Sequence, residues 1–488
     1  MQFDGFIGGA YLSRSPVQNA QRCVNLYVEG DSTRGTLLSA KNQEYGKAPA
    51  MLLSTPGLRR FCTLSGPGGV RGLWTASRGR VFAVCGATLS ELLADGTATA
   101  RGTLTSSTGP VSLADNGIEL VVVDGQPAGG WSLRLSDNTF RAITGEGFVG
   151  SARVSFFDGY FLFVHPDTQQ FYISGLYDSE TEQPLDFASA ESSPDNLLAL
   201  EMERREVLLL GSRSGEIWFN AGAADFPFAP IAGTAFPYGI AAVHSLRALG
   251  TFYWLSGGDL ESGGPQVVRL KGYQPERIST HALEFALQSY ERVDDAVAYS
   301  YQEEGHTFYV LSFPSGNATW AFDLSTGLWA ERADLDATTG LFKRHRVQHH
   351  CYAFGVHLVG GEDDGRVYVQ DLATYDNDGD PLVRRRTAPH LHQDRRLLYH
   401  SVFELDLETG VGLDGAVTPG SDPQLALRWS DDGGRTWSNE HWASAGKQGQ
   451  YRTRVLWRRL GRSRQRTYEV TISDPVKVAL IAARIEVS

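Results

Sequence analysis

A hydrophobic pattern that returns every 40 to 54 residues constrains this chain more than any other feature. Each unit opens with an apolar run, turns, and continues with a second and more hydrophobic run. Val70–Trp74, Val81–Val84 and Leu89–Leu93 form the first unit, closed by Asp95-Gly96. Pro110–Leu113, Glu119–Val123, Asp124-Gly125 and Trp131–Leu135 form the second. Ala152–Phe157, Asp158-Gly159 and Tyr160–Val164 open the third. Asp-Gly between two apolar runs predicts a hairpin, because a type I′ turn needs positive φ at both of its central positions. Later units drift but keep the order: Leu197–Leu200 with Val207–Leu210 and Ile217–Phe219; Ala242–Leu246 with Phe252–Leu255 and Val267-Val268; Ala296–Tyr301 with Thr307–Phe313 and Thr319–Leu324; His350–Phe354 with Val367–Val369. The starts fall near 70, 110, 152, 196, 242, 296 and 349. A four-stranded propeller blade needs about 40–50 residues. The pattern therefore predicts an all-β chain with a β-propeller of seven blades, give or take one, over residues 61–380.

Phe322-Asp-Leu-Ser-Thr-Gly-Leu-Trp329 adds a strand, a turn and a returning Trp, similar to kelch-type blades. One helix is expected over Thr280–Tyr290, where Leu283, Ala286, Leu287 and Tyr290 share a face. Glycine is 54 of 488 residues, which fits short strands and tight turns rather than long helices. Ten tryptophans supply large side chains for packing between sheets.

A boundary falls near residue 380, in the polar stretch Tyr375–Pro381. Residues 381–488 carry 17 Lys/Arg and 12 Asp/Glu, whereas residues 1–380 carry 27 and 44. Beyond the boundary the runs Val402–Leu407, Gln424–Trp429, Tyr451–Trp457, Thr467–Ile472 and Val476–Ile485 predict a β-sandwich-like domain over 381–488. Residues 1–60 show no repeat and read as an N-terminal arm, with Val24–Tyr27 pairing as an added strand. The net charge of −12 argues against a protein that coats nucleic acid generally, since such affinity comes from neutralising phosphates. Residues 1–10 lack a charged segment followed by an apolar run, so no signal peptide is expected. No stretch approaches 18 uncharged apolar residues, so no transmembrane helix is expected either. Cys23, Cys62, Cys85 and Cys351 form no CxxC pair, which fits a reducing compartment.

Four groups of residues invite a chemical reading. Ser430, Asp432, Gly434, Thr436 and Trp437 match the S-x-D-x-G-x-T-W pattern of the Asp-box, a hairpin turn locked by a carboxylate that accepts backbone N–H groups. Asp-boxes recur in sialidase-like propellers, but this copy is single and stands outside the repeat, so a structural turn is expected. Asp376, Asp378 and Asp380 alternate like a calcium loop, yet no glycine sits at the sixth position and no Glu at the twelfth, which is Thr387. His390 and His392 would project to one side of a strand without an evident third ligand, and His349-His350 is weaker still. No P-loop, GxGxxG after a strand, GxSxG or HExxH occurs. Neither catalytic residues, a metal site nor a cofactor is assigned. Arg452, Arg454, Trp457, Arg458, Arg459, Arg462, Arg464 and Arg466 form a basic stretch with an apolar centre, open either to a solvated strand or to an interface with acidic groups.

The stretch Tyr451–Arg462, followed by Tyr468–Leu480, resembles the end of the packaged-DNA stabilisation proteins of short-tailed, P22-like bacteriophages. Tyr11–Pro16, Gln21–Tyr27, Thr55–Leu58 and Tyr375–Arg386 are similar too, so the resemblance spans the chain. It implies a non-enzymatic virion protein, assembled in the host cytoplasm. Copies would form a tail-hub or nozzle ring, usually a hexamer, below the portal and its adaptor, the head–tail connector. Further implied partners are tail fibres or tailspikes and a tip or needle plug. Double-stranded DNA would pass through without sequence-specific binding. An acidic channel wall would suit that passage, because it repels phosphates, and the basic stretch would then face protein as the assembly interface. A glycan-binding or glycan-cleaving tail propeller is the alternative, and a repeated Asp-box would favour it.

Overall fold

The computed structural model describes residues 2–15, 20–30, 50–180, 187–190, 193–223, 226–258, 263–414 and 418–488. Pro16, part of one of the similar segments, lies outside them. Seven four-stranded antiparallel units follow one another among the described residues. Unit I comprises Val70–Thr75, Val81–Cys85, Thr88–Leu92 and Ala98–Thr103. Unit II comprises Ser112–Asp115, Glu119–Val123, Gly130–Arg134 and Phe140–Ala142. Unit III comprises Val154–Phe157, Tyr160–Val164, Gln170–Ile173 and Phe187–Ser189. Unit IV comprises Leu197–Glu203, Glu206–Gly211, Gly215–Asn220 and Phe228–Pro230. Unit V comprises Arg247–Ala248, Phe252–Ser256, Gln266–Lys271 and Gln274–Arg277. Unit VI comprises Val297–Glu303, His306–Phe313, Ala318–Asp323 and Leu328–Glu331. Unit VII comprises Val347–Ala353, Val356–Gly361 and Arg366–Asp371, and its fourth strand is Gly57–Thr63, from far upstream. The first strands of successive units neighbour one another, and Val347–Ala353 lies against Val70–Thr75, so the propeller circuit closes.

The alternating sequence explains the packing. Successive residues of a strand face opposite ways, and both faces of each sheet meet an adjoining unit, so the strands are nearly continuously apolar. Phe82, Val84 and Leu89 of unit I pack with Leu113, Leu120, Val122 and Trp131 of unit II. Val121, Val123, Val154, Phe161 and Phe163 make the next seam. Each such side chain contributes about 1.5–3 kcal/mol through burial.

The expected turns occur in part. Asp158 (φ 47°) and Gly159 (φ 95°) form a two-residue loop that sets Phe157 opposite Tyr160. Asp124-Gly125 does not make a hairpin turn. The connection from Val123 runs on to Gly130, and Asp124 Oδ1 accepts the Gln126 N–H at 3.1 Å within it. Ala242–Leu246 is not the inner strand of unit V. Residues Val243–Ser245 form a short 3₁₀ turn, because Ser245 Oγ donates to the Ala242 carbonyl (2.6 Å) and accepts the Leu255 N–H (3.0 Å), replacing a strand ladder. The expected helix runs over His281–Gln288, with Thr280 Oγ1 accepting the Leu283 N–H at its start. Tyr290 lies beyond its end and packs at a tilt against Phe313.

The sandwich has two sheets. One contains Cys23–Val24, Arg384–Thr387, Gln465–Ile472, Gln424–Ser430 and His441–Ser444. The other contains Leu26–Glu29, Met51–Ser54, Ala479–Val487, Leu398–Leu407 and Val455–Arg458. Val24–Tyr27 is therefore not one added strand, because the chain changes sheet at Asn25. This buried residue has φ 52°. Its amide donates to the Ala333 and Val383 carbonyls (2.7 and 2.8 Å) and accepts the Ala333 N–H (3.0 Å). Val24 also pairs in parallel with Glu331, so the first sheet runs on into unit VI and ties propeller to sandwich.

A titratable contact sits at the same junction. His306 lies between Glu29 Oε2 and Asp323 Oδ2, each 2.9 Å away. The hydrogen bond to Asp323 is the main reason its pKa rises from 6.5 to about 9, against a desolvation that would lower it. A raised value means the stabilisation is full below the unfolded pKa of about 6.5 and fades as pH rises through about 9. With screening by solvent, the contribution is about 1–2 kcal/mol. The stability difference between the wild type and His306→Gln is therefore expected to be largest near pH 6 and to vanish by about pH 10. Urea unfolding at several pH values measures it, and a pH-independent difference would reject the assignment.

Candidate assembly surface

The basic stretch splits in two when placed on the fold. Val455–Arg458 is the edge strand of its sheet, so alternate side chains point inward and outward. Trp457 points in: it is 6% exposed, and its Nε1 donates to the His441 carbonyl at 2.8 Å. Arg466 is interior as well, at 2% exposure. It pairs with Asp431 (Nε to Oδ1, 2.6 Å), donates to the Leu460 carbonyl, and lies over the Trp429 and Tyr468 rings. These two residues hold the sandwich together and cannot meet a partner. Arg454 is exposed but occupied, forming a two-pronged pair with Glu404 at 2.8 and 2.9 Å.

Arg452, Arg458, Arg459, Arg462 and Arg464 remain on the surface. Arg459 (φ 60°) and Gly461 (φ 77°) shape the turn that carries Arg458, Arg459 and Arg462, and the Arg459 N–H is fixed on the Ser401 carbonyl at 2.9 Å. Arg464 donates to the Arg395 carbonyl, which adds the exposed Arg395 to the same region. Among the described residues, no carboxylate lies within 4.0 Å of Arg458, Arg459, Arg462 or Arg464. Tyr399 stands opposite Arg462 in the ladder and is 52% exposed; Trp442 is 56% and Tyr451 74% exposed. Arg with exposed Tyr and Trp is the composition of interaction surfaces.

The Asp-box residues close on one another through Asp432. Asp432 Oδ1 accepts the Arg435 and Thr436 N–H groups (3.0 and 2.9 Å) and the Ser430 hydroxyl (2.7 Å), while Oδ2 accepts Thr436 Oγ1 (2.7 Å). Ser430 Oγ in turn accepts the Gly434 N–H, and Trp437 lies under the Arg428 guanidinium at 4.6 Å. The hydrogen bonds from Thr436 hold the Asp432 carboxyl far below its usual range. A depressed value means its stabilisation is present above the unfolded pKa of about 3.9 and fades as pH falls. Asp432→Ala is expected to lower the thermal midpoint at neutral pH and to cost progressively less in acid. A penalty that grows on acidification would reject this reading.

The remaining candidates have other occupations. Asp378 pairs with Arg60 (2.5 Å) and Arg366 (3.7 Å), and Asp380 with Arg346 (2.9 Å), so guanidinium groups already face two of the three alternating carboxylates. The His390 and His392 rings are 5.3 Å apart, and no group of three or more metal-ligating side chains forms among the described residues. His349 and His350 lie on the inner strand of unit VII and line the propeller cavity; in unit VI, Trp329 packs tilted on Phe322 (5.1 Å).

Sequence reasoning missed the interior arginines. Arg384 and Arg386 are at most 1% exposed. Arg386 spends its donors on the carbonyls of Gly5, Phe6, Gly9 and Arg22 and on Gln21 Oε1, at 2.7–3.2 Å. Arg384 reaches Ser54 Oγ and the carbonyls of Tyr375, Asp474 and Val476. Their alternation on one strand was the available signal.

Comparison with known proteins agrees with this architecture. Residues 37–375 match the family model described as bacteriophage P22 Gp10, β-propeller, and residues 383–488 match that described as bacteriophage P22 Gp10, β-sandwich. No curated protein matches the chain. Similar solved structures include the WD40 β-propeller domain of Doa1, at 13% identity over 64% of this chain and 98% of that one, TM-score 0.40. YCF48 bound to D1 peptide is another, at 13% identity over 65% and 98%, TM-score 0.39.

Proposed function

The chain belongs to the bacteriophage P22 Gp10 family, structural virion proteins that stabilise packaged DNA, and from that premise we propose that it is the subunit of a tail-hub or nozzle ring. In this reading residues 61–380 form the propeller part of the subunit, 381–488 the sandwich part and 1–60 an N-terminal arm. Copies close into a ring, a hexamer, below the portal and adaptor. The ring prolongs the DNA channel, retains the genome, and holds fibres or spikes and a tip plug. It sits in the tail and assembles in the host cytoplasm.

One observation carries the proposal: among the described residues, the exposed Arg458, Arg459, Arg462 and Arg464 have no carboxylate within 4.0 Å, and Arg462 stands opposite the exposed Tyr399. Charges left open on a folded surface suit a partner that brings the carboxylates, and the planar guanidinium pairs with them bidentately. The charge split supports the complementary half. Residues 1–380 carry 27 basic and 44 acidic side chains, so the propeller region can line a channel through which phosphates slide rather than stick. The protein acts without catalysis, and the Asp432 turn is structural.

Native mass measurement of the purified chain with its adaptor tests the reading. A closed ring of about six copies, free of glycan hydrolysis, is the expected result. A monomer that hydrolyses a sialoside or capsule glycan, and loses that activity in Asp432→Ala, would replace it with the glycan-active alternative.

A further inference from the structure

The first strands of the propeller units surround a cavity of about 490 Å³. Its lining includes two guanidinium groups from different units, Arg153 before unit III and Arg247 in unit V. They are not equally served. Arg153 pairs with Glu201, whose other oxygen accepts the Ser155 hydroxyl and the Met202 N–H at 3.2 Å each, so that carboxylate is fully occupied. Asp115 also lines the cavity, but its oxygens accept the Trp74 indole N–H (3.0 Å) and the N–H groups of Ser77 and Gly117. Arg247 has no carboxylate within 4.0 Å among the described residues, and its hydrogen bond goes to the adjoining Leu246 carbonyl.

A second, independent observation points the same way. Two polar atoms of residues lining this cavity are buried and have no hydrogen-bond partner: Arg153 Nε and His349 Nε2. The two residues are 4% and 6% exposed. A buried donor without a partner is costly, and the unpaired charge of the half-buried Arg247 adds to that cost. Arranging all of these around one space is unfavourable unless something fills it.

We propose that the propeller cavity binds an oxyanion, with Arg247 as its counter-charge and Arg153 and His349 donating to its oxygens. An N–H from each would reach a phosphate or carboxylate group from a different side. The surroundings are consistent with an unmet demand for negative charge. Burial and the neighbouring Arg153 push Arg247 down to about 10, and burial and Arg247 push His349 down to about 3, keeping that imidazole neutral at physiological pH. The proposal does not depend on the tail-hub reading, since it concerns one subunit.

The test uses the full chain in a buffer free of phosphate and carboxylates. Titration with inorganic phosphate, and separately with sodium acetate, is followed by calorimetry and by the thermal midpoint, with sodium chloride matching ionic strength. The expected result is a saturable rise in the midpoint and one site per chain for at least one probe, beyond the chloride control. Saturation by phosphate alone assigns a tetrahedral oxyanion; saturation by acetate alone assigns a carboxylate. Arg247→Met is expected to lower the affinity at least tenfold and to melt no lower than the wild type without anion, because it removes the unpaired charge. His349→Phe, which deletes the imidazole donor, is expected to weaken binding several-fold. Wild-type protein that responds to neither probe, or variants that bind as the wild type does, would overturn the proposal.

Discussion

Replacing Arg386 by Met is expected to cost about 3–5 kcal/mol, because several acceptors lose their donor together and each one left buried and unsatisfied costs about 1–3 kcal/mol. The guanidinium has five N–H donors, and each has an acceptor: Phe6 for Nε, Gly9 and Arg22 for Nη1, Gly5 and Gln21 for Nη2. Four of those acceptors are backbone carbonyls of the N-terminal segment. Arg386 is 0% exposed, and burial lowers its pKa from the usual arginine value. The strand around it cannot shift to compensate, since Arg386 itself pairs with Cys23 on one side and Val470 on the other. Met fills a similar volume but donates to none of these carbonyls; only that of Arg22 keeps another donor, the Thr387 N–H. Lys keeps the charge with three donors and is expected to recover part of the loss. Urea titration of the transition that includes the sandwich measures both variants, and limited proteolysis near residues 5–22 reports release of the segment. A loss below about 1 kcal/mol for Arg386→Met would show that the segment is held by packing alone.

The propeller was legible because its information is local. Each blade is a meander, so strand, turn and return strand stand within 40 to 54 residues of one another. Asp158-Gly159 announced its turn, whereas Glu304-Gly305 and Phe354-Gly355 make the same kind of two-residue connection without the Asp. Circuit closure was not legible. Gly57–Thr63 pairs with Arg366–Asp371, and no local pattern links segments three hundred residues apart. The basic stretch was read by composition, although strand alternation alone would have placed Val455 and Trp457 inward and Arg454 and Arg458 outward. Arg384–Arg386 misleads in the opposite direction. Three consecutive arginines look like surface, and only the carbonyls contributed by residues 5–22 and by Tyr375, Asp474 and Val476 make an interior position tolerable. The cavity around Arg247 left no trace, because its residues come one or two at a time from separate units.

Changing Arg458, Arg459 and Arg462 together to Glu is expected to leave the subunit folded and to abolish ring formation or attachment to the adaptor. The three side chains are exposed and unpaired, so reversing them removes no contact within the subunit, and surface substitutions of this kind usually change stability by about 0.5 kcal/mol or less. Their effect on assembly is of another order. One exposed ion pair is worth only about 0–1 kcal/mol, but charge reversal sets like charges against each carboxylate that a partner brings, and symmetry repeats the conflict at every interface of a ring. Arg454→Glu supplies the comparison. It breaks a surface pair with Glu404 inside the subunit and is expected to destabilise the fold slightly while leaving assembly intact. Circular dichroism and thermal midpoints establish that both variants fold; native mass measurement and retention of packaged DNA by complemented particles report assembly. If the triple variant yields full, infectious particles, or if the assembled ring places these arginines on the lumen, the basic surface has another role. The acidic propeller then cannot be the sole lining of the channel, because DNA would meet guanidinium groups on its way out.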